Sequence, residues 1–277
     1  MQKAKGRHSE TRLTWRQVLN RGCKYTKDAA SGAAKGAATA LLAGVPPTLA
    51  DMGVSAAVGG LSQIAAASTK HVIEEVANRA LTAKEFERVA TAAWRIENEF
   101  WERIIANERP RDDGFFSELK GDRPAAEELL EGTLYAVRSE YEERKAPYVE
   151  HIFANVAFRR DISREAANHF LAIGDSLSYR QVKLLALIKR KDETGFNTSR
   201  VFDGPVAKRD DCHVIRQQAK SLVSLELIKP VGDPPKRSVR LDSLGKTLFE
   251  LMSLDRMPID ELLTVKAIFT SHTKRKR

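Results

Sequence analysis

Two pairs of reactive side chains in this sequence have a spacing that could support chemistry. Cys212 and His213 are adjacent, and Glu165 and His169 are four residues apart, about one helical turn. A thiol and an imidazole are zinc ligands, but neighbouring residues are poorly placed to share one tetrahedral metal without further ligands. A carboxylate beside a histidine is part of a catalytic dyad only when a nucleophile is also present. The sequence therefore predicts a partly buried cysteine next to a surface histidine, and no catalytic or metal-binding residues. The spacing of Glu165 and His169 would also allow a local pair.

The glycine-rich residues 32–39 are the nearest approach to a phosphate-binding loop. They lack the preceding strand that such a loop needs, and the sequence contains no P-loop, dinucleotide fingerprint or His-Glu-x-x-His motif. We therefore predict a non-enzymatic protein with no cofactor. An enzyme whose site carries no recognisable motif is the alternative.

Charge divides the 277-residue chain, which has a formal net charge of +9, into three blocks. Residues 1–70 hold ten basic and three acidic side chains, a net of +7. Residues 71–176 hold fifteen basic and twenty-two acidic side chains, a net of −7. Residues 177–277 hold twenty-one basic and twelve acidic side chains, a net of +9. The outer blocks could meet nucleic acid or anionic lipid, and the acidic middle block should avoid both.

The segment 29–70 is rich in Ala and Gly, and Asp51 is its only charged residue between Lys35 and Lys70. Small residues four apart allow two helices to approach closely, as they do in membranes. The Val45-Pro46-Pro47 sequence cannot continue a helix. We predict two helices joined by a proline elbow, which contact a membrane or pack in a soluble hairpin; weak apolar content argues against permanent insertion. The candidate helix-packing or membrane residues are Gly32, Gly36, Gly44, Gly53, Ala56 and Gly60. Residues 1–28 form a separate basic N-terminal segment.

The acidic block 71–176 has a helical pattern throughout. Thr82 followed by Glu85 is a capping box, and the apolar residues after it recur at steps of three and four. Trp94 and Trp101 widen this stripe, which favours core packing over a ligand groove. A later helix carries an apolar face that includes Leu130, Leu134, Val137 and Tyr141.

Local signals predict where the helices of this block begin and end. Pro147 ends or kinks the helix that precedes it. Ser163 is a good N-cap, with Glu165 in the first turn. Gly174 is placed to end the helix that Ser163 begins.

The basic block 177–277 has a different pattern. Ser178 and Gln181 form a second capping box, and a helix is predicted from about residue 211 to residue 224. Residues 227–230 and 238–241 then read as a short hairpin, and Pro258 suits the first turn of a last helix. The predicted fold class is mainly α: a helical hairpin and a helical bundle, followed by a small α+β unit with a basic tail.

Part of this last block resembles a winged-helix unit. Residues 177–188, Leu-Ser-Tyr-Arg-Gln-Val-Lys-Leu-Leu-Ala-Leu-Ile, resemble its first helix, and residues 214–228 resemble its recognition helix running into the first wing strand. Residues 239–248 resemble the second strand and the closing helix. The resemblance covers about residues 177–254, and the long connection at 191–210 leaves the second helix of the motif unassigned.

The resemblance implies a candidate nucleic-acid surface. Arg216, Gln217 and Lys220 would lie on the recognition helix, and Lys236 and Arg237 on the wing. Such positions suit phosphate contact and groove reading in duplex DNA. Winged helices also serve as protein-contact modules, so both partners stay open.

The layout as a whole is similar to that of bacterial abortive-infection proteins of the Abi-alpha type. The similarity rests on the small-residue stretch 29–69, the charged helical middle and the pattern from Leu177 to Leu254. It implies a phage-defence effector that acts without catalysis, through membrane interaction or self-association of its N-terminal hairpin. The alternative is a soluble winged-helix DNA-binding regulator. The predicted partners are an anionic membrane, duplex DNA, and further copies of the chain or another protein. The predicted location is the cytoplasm, peripheral or conditional at the inner membrane, since two distant cysteines suit a reducing compartment.

Overall fold

The computed structural model describes residues 71–73, 75–76, 79, 81–117, 121–203, 210–233 and 237–270. The predicted small-residue hairpin lies outside these ranges, and so does the wing residue Lys236. The candidate residues that fall outside with the hairpin are Gly32, Gly36, Gly44, Gly53, Ala56 and Gly60.

The protein is mainly α-helical, with a two-stranded antiparallel sheet near the C-terminus, which confirms the predicted fold class. The helices are α1 Ala83–Ile105, α2 Ala125–Ser139, α3 Ala146–Val156, α4 Arg164–Ser176, α5 Tyr179–Lys189, α6 Lys191–Thr194, α7 Arg200–Asp203, α8 Asp210–Ser224, α9 Ser243–Leu251 and α10 Ile259–Thr270. The strands are β1 Ile228–Val231 and β2 Ser238–Leu241, and a 3-10 turn spans Leu254–Arg256.

The chain divides between Ser139 and Glu140 into two compact units. The boundary predicted from charge, between residues 176 and 177, falls between α4 and α5, which belong to the same unit in the structure.

The first unit is built on the pairing of α1 with α2. The predicted capping box begins α1, because the Glu85 N–H donates to Thr82 Oγ1 (3.3 Å) and the Thr82 N–H donates to Glu85 Oε2 (2.8 Å). Both helices bury an apolar stripe at helical spacing. The buried stripe residues are Val89, Ala93, Ile96, Phe100 and Ile104 on α1, and Leu130, Leu134 and Val137 on α2.

The second unit is organised around α5, whose side chains are buried on nearly every side. The helices α8, α9 and α10 and the strand β2 all pack against it. A helix that is apolar all round belongs in a core, and α5 begins at the predicted capping box of Ser178 and Gln181.

Two local predictions about helix ends are wrong. The α2 helix ends at Ser139, so Tyr141 is 82% exposed instead of joining its apolar face, and Pro147 lies in the first turn of α3. Gly174 lies inside α4, which continues to Ser176. A Cβ at Gly174 would sit 2.8 Å from Ile152 Cδ1, so glycine is used there for the close approach of α4 to α3.

Among the helices that the structure describes, none combines the length and apolar character that crossing a bilayer requires.

Candidate nucleic-acid interface

Helix α8 has two sharply different faces. Its inner face is buried against the second unit and consists of Cys212, Ile215, Ala219 and Leu222. Its outer face is exposed and consists of His213, Val214, Gln217, Lys220 and Ser224. Asp211 in the first turn is also exposed, and its carboxylate pairs with Arg180. The steps of three and four residues along each face are those of an amphipathic helix. The outer face is therefore a continuous polar surface, interrupted by one apolar side chain.

Contacts at several points fix α8 on the unit. The Gln218 side-chain amide donates to Ser178 Oγ (3.1 Å) at the start of α5, and Cys212 Sγ donates to the Ile268 carbonyl (3.5 Å) on α10. After α8, Glu226 has a φ of 56°, and the Leu227 N–H donates to the Leu222 carbonyl (3.0 Å). The chain reverses there and enters β1, so α8 leads into the hairpin through a short hydrogen-bonded turn.

The hairpin presents cations on its outer side. Lys229 and Arg240 are cross-strand partners, and the two strands are in the register Ile228↔Leu241. Ile228 and Leu241 are buried, whereas Arg240 is exposed. Alternation along a strand therefore puts the two cations on the opposite face from the core.

One hairpin cation is paired within the protein. Lys229 Nζ donates to Asp242 Oδ1 at 2.5 Å. This hydrogen bond, together with one from the Ser243 N–H, holds the pKa of Asp242 below its usual range. Arg240 is therefore the more accessible of the two cations.

The structure brings together only part of the predicted nucleic-acid surface. Gln217 and Lys220 lie on the outer face of α8. Arg216 is half-buried between the two faces and interacts within the protein. Arg237 is half-buried one residue before β2. Arg240 was missed, although the alternation of Ser238-Val-Arg-Leu places it on the exposed side of the strand.

The other candidate chemistry does not assemble into a site. Cys212 is 7% exposed and His213 is exposed, so the adjacent residues lie on different faces of α8. The Glu165 carboxylate accepts from Ser163 Oγ (2.9 Å), and a backbone N–H and this hydroxyl lower its pKa. His169 lies against the Phe170 ring, with centroids 6.3 Å apart. In the described part of the chain, no three His, Cys, Asp or Glu residues are grouped to hold a metal ion.

A partly buried carboxylate lies on α1, away from this interface. Glu97 shares a helix face with Trp94 and Trp101, at steps of three and four residues. Burial raises the pKa of Glu97 to about 7, and a hydrogen bond from the Trp101 side chain opposes the shift only in part. Trp94 Nε1 is buried, and none of the described residues accepts a hydrogen bond from it. The Trp pair therefore flanks a partly buried, titratable carboxylate on α1.

This carboxylate predicts a pH dependence of stability. The pKa of Glu97 is about 7 in the folded chain against a reference of 4.5, so its contribution to stability is fully present below 4.5 and is lost as pH rises through 7. In the unsubstituted protein this group lowers the free energy of unfolding by about 3 kcal/mol as pH rises across this window, and we expect Glu97→Gln to abolish that pH dependence. Urea unfolding at several pH values measures the effect. The control is Glu102→Gln on the exposed side of α1; equal pH slopes in both variants would contradict the assignment.

Comparison with protein-family models, with curated proteins and with solved structures finds no match for this chain.

Proposed function

We propose that this protein binds duplex DNA through the outer face of α8 and the hairpin that follows it. The observation that carries the proposal is the exposed row of Gln217 and Lys220 on a helix that runs directly into a hairpin with Arg240 exposed. Lys220 and Arg240 would contact phosphates, which supply most of the affinity, and the helix would lie towards the base edges.

Charge supports the same partner. The block that contains α8 and the hairpin has a net charge of +9, whereas the preceding block has −7. A polyanion is attracted to the first and repelled by the second. The resemblance of residues 177–254 to a winged-helix unit is consistent with this use of the helix and hairpin.

The salt dependence of binding tests the proposal. We expect the full-length protein to bind a fluorescent DNA duplex with an affinity that falls linearly in log–log form as salt rises. Lys220→Ala should weaken binding to all sequences alike and reduce the magnitude of the slope by about 1, because one phosphate contact is lost. Fluorescence anisotropy over a salt series measures both quantities.

A matched control separates this effect from a general loss of charge. Lys189 is also an exposed lysine of the second unit, at the end of α5 and outside the proposed surface. Lys189→Ala should leave the slope close to that of the unsubstituted protein. Absence of salt-sensitive binding at low ionic strength would overturn the proposal and leave the α8 surface as a protein-contact site.

The abortive-infection role stays a prediction from the sequence. It depends on residues 29–70, which lie outside the described ranges, and on the similarity of the overall layout. The DNA-binding proposal takes precedence because residues that the structure describes carry it. The two are compatible, since a DNA-binding unit and a self-associating segment can serve one effector.

A further inference from the structure

An exposed valine interrupts the polar outer face of α8. Val214 is 47% exposed, and it is the only residue of that face with an aliphatic side chain. Gln217 is three residues further along, and side chains three apart on a helix are neighbours. The outer face therefore presents a branched apolar group beside a primary amide, with Lys220 one further step of three along the same row.

This pair of groups matches one base pair better than the others. The amide of glutamine can donate to adenine N7 and accept from adenine N6, and an apolar side chain can contact the C5-methyl group of thymine. Both features are displayed in the major groove, which is wide enough for an α-helix. A guanine–cytosine pair offers neither the adenine pattern nor the methyl group.

We infer that Val214 and Gln217 give this protein a preference for A·T base pairs read from the major groove. The inference rests on the proposed function, because it assigns base contacts to the surface proposed there. Gln217 would bond the adenine edge, Val214 would pack on a thymine methyl, and Lys220 would hold the adjoining phosphate.

Chemically modified duplexes test each contact with the full-length protein. The probes are a dA·dT duplex, the same duplex with uracil in place of thymine, and the same duplex with 7-deazaadenine in place of adenine. Loss of the thymine methyl should weaken binding about three- to fourfold, as expected for one buried methyl group. Loss of adenine N7 should weaken it about fivefold, as expected for one hydrogen bond.

Variants assign the effects to residues. Val214→Ala should bind the thymine and uracil duplexes nearly equally while still discriminating against 7-deazaadenine. Gln217→Ala should show the reverse pattern. Leu263→Ala, which truncates another exposed aliphatic residue on α10, should keep both discriminations. For each variant, the measured quantity is the ratio of its affinities for the modified and the unmodified duplex. A change in duplex shape affects this ratio equally in all variants and therefore cancels between them.

The outcomes separate this inference from the proposed function. Salt-sensitive binding that is indifferent to both modifications would overturn base reading by Val214 and Gln217 and leave DNA binding intact. Discrimination that persists unchanged in Val214→Ala and Gln217→Ala would also overturn it. Absence of salt-sensitive binding to any of the duplexes would overturn both statements. Loss of each discrimination in its own variant supports the inference.

Discussion

Replacing Lys145 with methionine is expected to lower the free energy of unfolding by about 3–5 kcal/mol. The Lys145 ammonium is buried and makes three contacts: Glu140 Oε2 at 2.5 Å, the Asp175 carbonyl at 2.7 Å and the Leu177 carbonyl at 2.8 Å. The variant leaves the buried Glu140 carboxylate without its cation and leaves two carbonyls at the end of α4 without a donor. An uncompensated buried charge is among the largest single-residue penalties in proteins.

Denaturant unfolding of matched variants measures this effect. The neighbouring Arg144 is also a cation, but its side chain is 75% exposed and its pairing is with Glu261 at 3.1 Å. Arg144→Met should lower stability by about 1 kcal/mol or less, since exposed ion pairs contribute little. Adding Glu140→Gln to Lys145→Met should recover part of the loss, because it removes the stranded charge. Equal destabilisation by Lys145→Met and Arg144→Met would contradict the importance of the buried pair.

The loop between α2 and α3, residues 140–145, also contacts the start of α5. Three residues before Lys145, the Glu142 carboxylate accepts from the Tyr179 N–H (2.7 Å) in the first turn of α5. Lys145 therefore donates to free carbonyl groups at the end of α4, and Glu142 accepts from a free N–H group at the start of α5. Gln218 of α8 bonds to Ser178 at the same helix start, so Glu142 and Gln218 both contact the first turn of α5.

Signals that act over a few residues could be predicted from the sequence. The capping boxes at Thr82 and Ser178 and the N-cap at Ser163 are as expected, because each is formed between residues two or three apart. The hairpin also follows from local pattern, with two short strands on either side of a turn and burial that alternates along β2.

Contacts between distant residues could not be predicted in the same way. Glu142 beside Glu143 reads as solvated charge, yet it caps a helix that begins thirty-seven residues later. Lys145 reads as one more basic residue, although its partners at 175 and 177 bury it. These roles depend on where α3, α4 and α5 meet, which no local pattern specifies.

The candidate interface was predicted in outline and not in detail. Amphipathic spacing indicates which residues lie on α8, but the helix phase decides which of them are exposed. Burial of Ile215 and Ala219 turns Arg216 to the side and brings Val214 to the surface. From sequence alone, a valine in an amphipathic helix is assigned to the core, so a contact by Val214 could only be inferred once its exposure was known.

Gly245→Ala is expected to lower the free energy of unfolding by about 3 kcal/mol, although alanine ordinarily stabilises a helix by about 1 kcal/mol relative to glycine. A Cβ at Gly245 would lie 1.9 Å from the Leu227 carbonyl oxygen and 2.8 Å from its carbon. Both are backbone atoms, so no side chain can rotate away to make room. The first turn of α9 must instead move away from Leu227, the residue that precedes β1.

That displacement also removes support for the hairpin. The Leu227 oxygen accepts from the Asp242 N–H at 3.0 Å, and Asp242 caps α9 by accepting from the Ser243 N–H at 2.8 Å. Lys246→Ala, at the next and exposed position of α9, tests the same helix without the clash and should change stability by less than about 0.5 kcal/mol. Thermal and denaturant unfolding compare the two variants, and equal stability would contradict the close packing at Leu227.

A binding measurement then distinguishes global destabilisation from local displacement. The comparison is made under conditions where both Gly245→Ala and Lys145→Met remain folded. Lys145→Met should then bind duplex DNA nearly as well as the unsubstituted protein, because the substitution lowers the free energy of unfolding and leaves the binding surface of the folded protein in place. Gly245→Ala should bind more weakly, because its Cβ displaces Leu227. The strand that carries Lys229 begins directly after Leu227, and Arg240 lies on the paired strand. Unchanged affinity in folded Gly245→Ala would show that the hairpin does not contribute, and would confine the interface to α8.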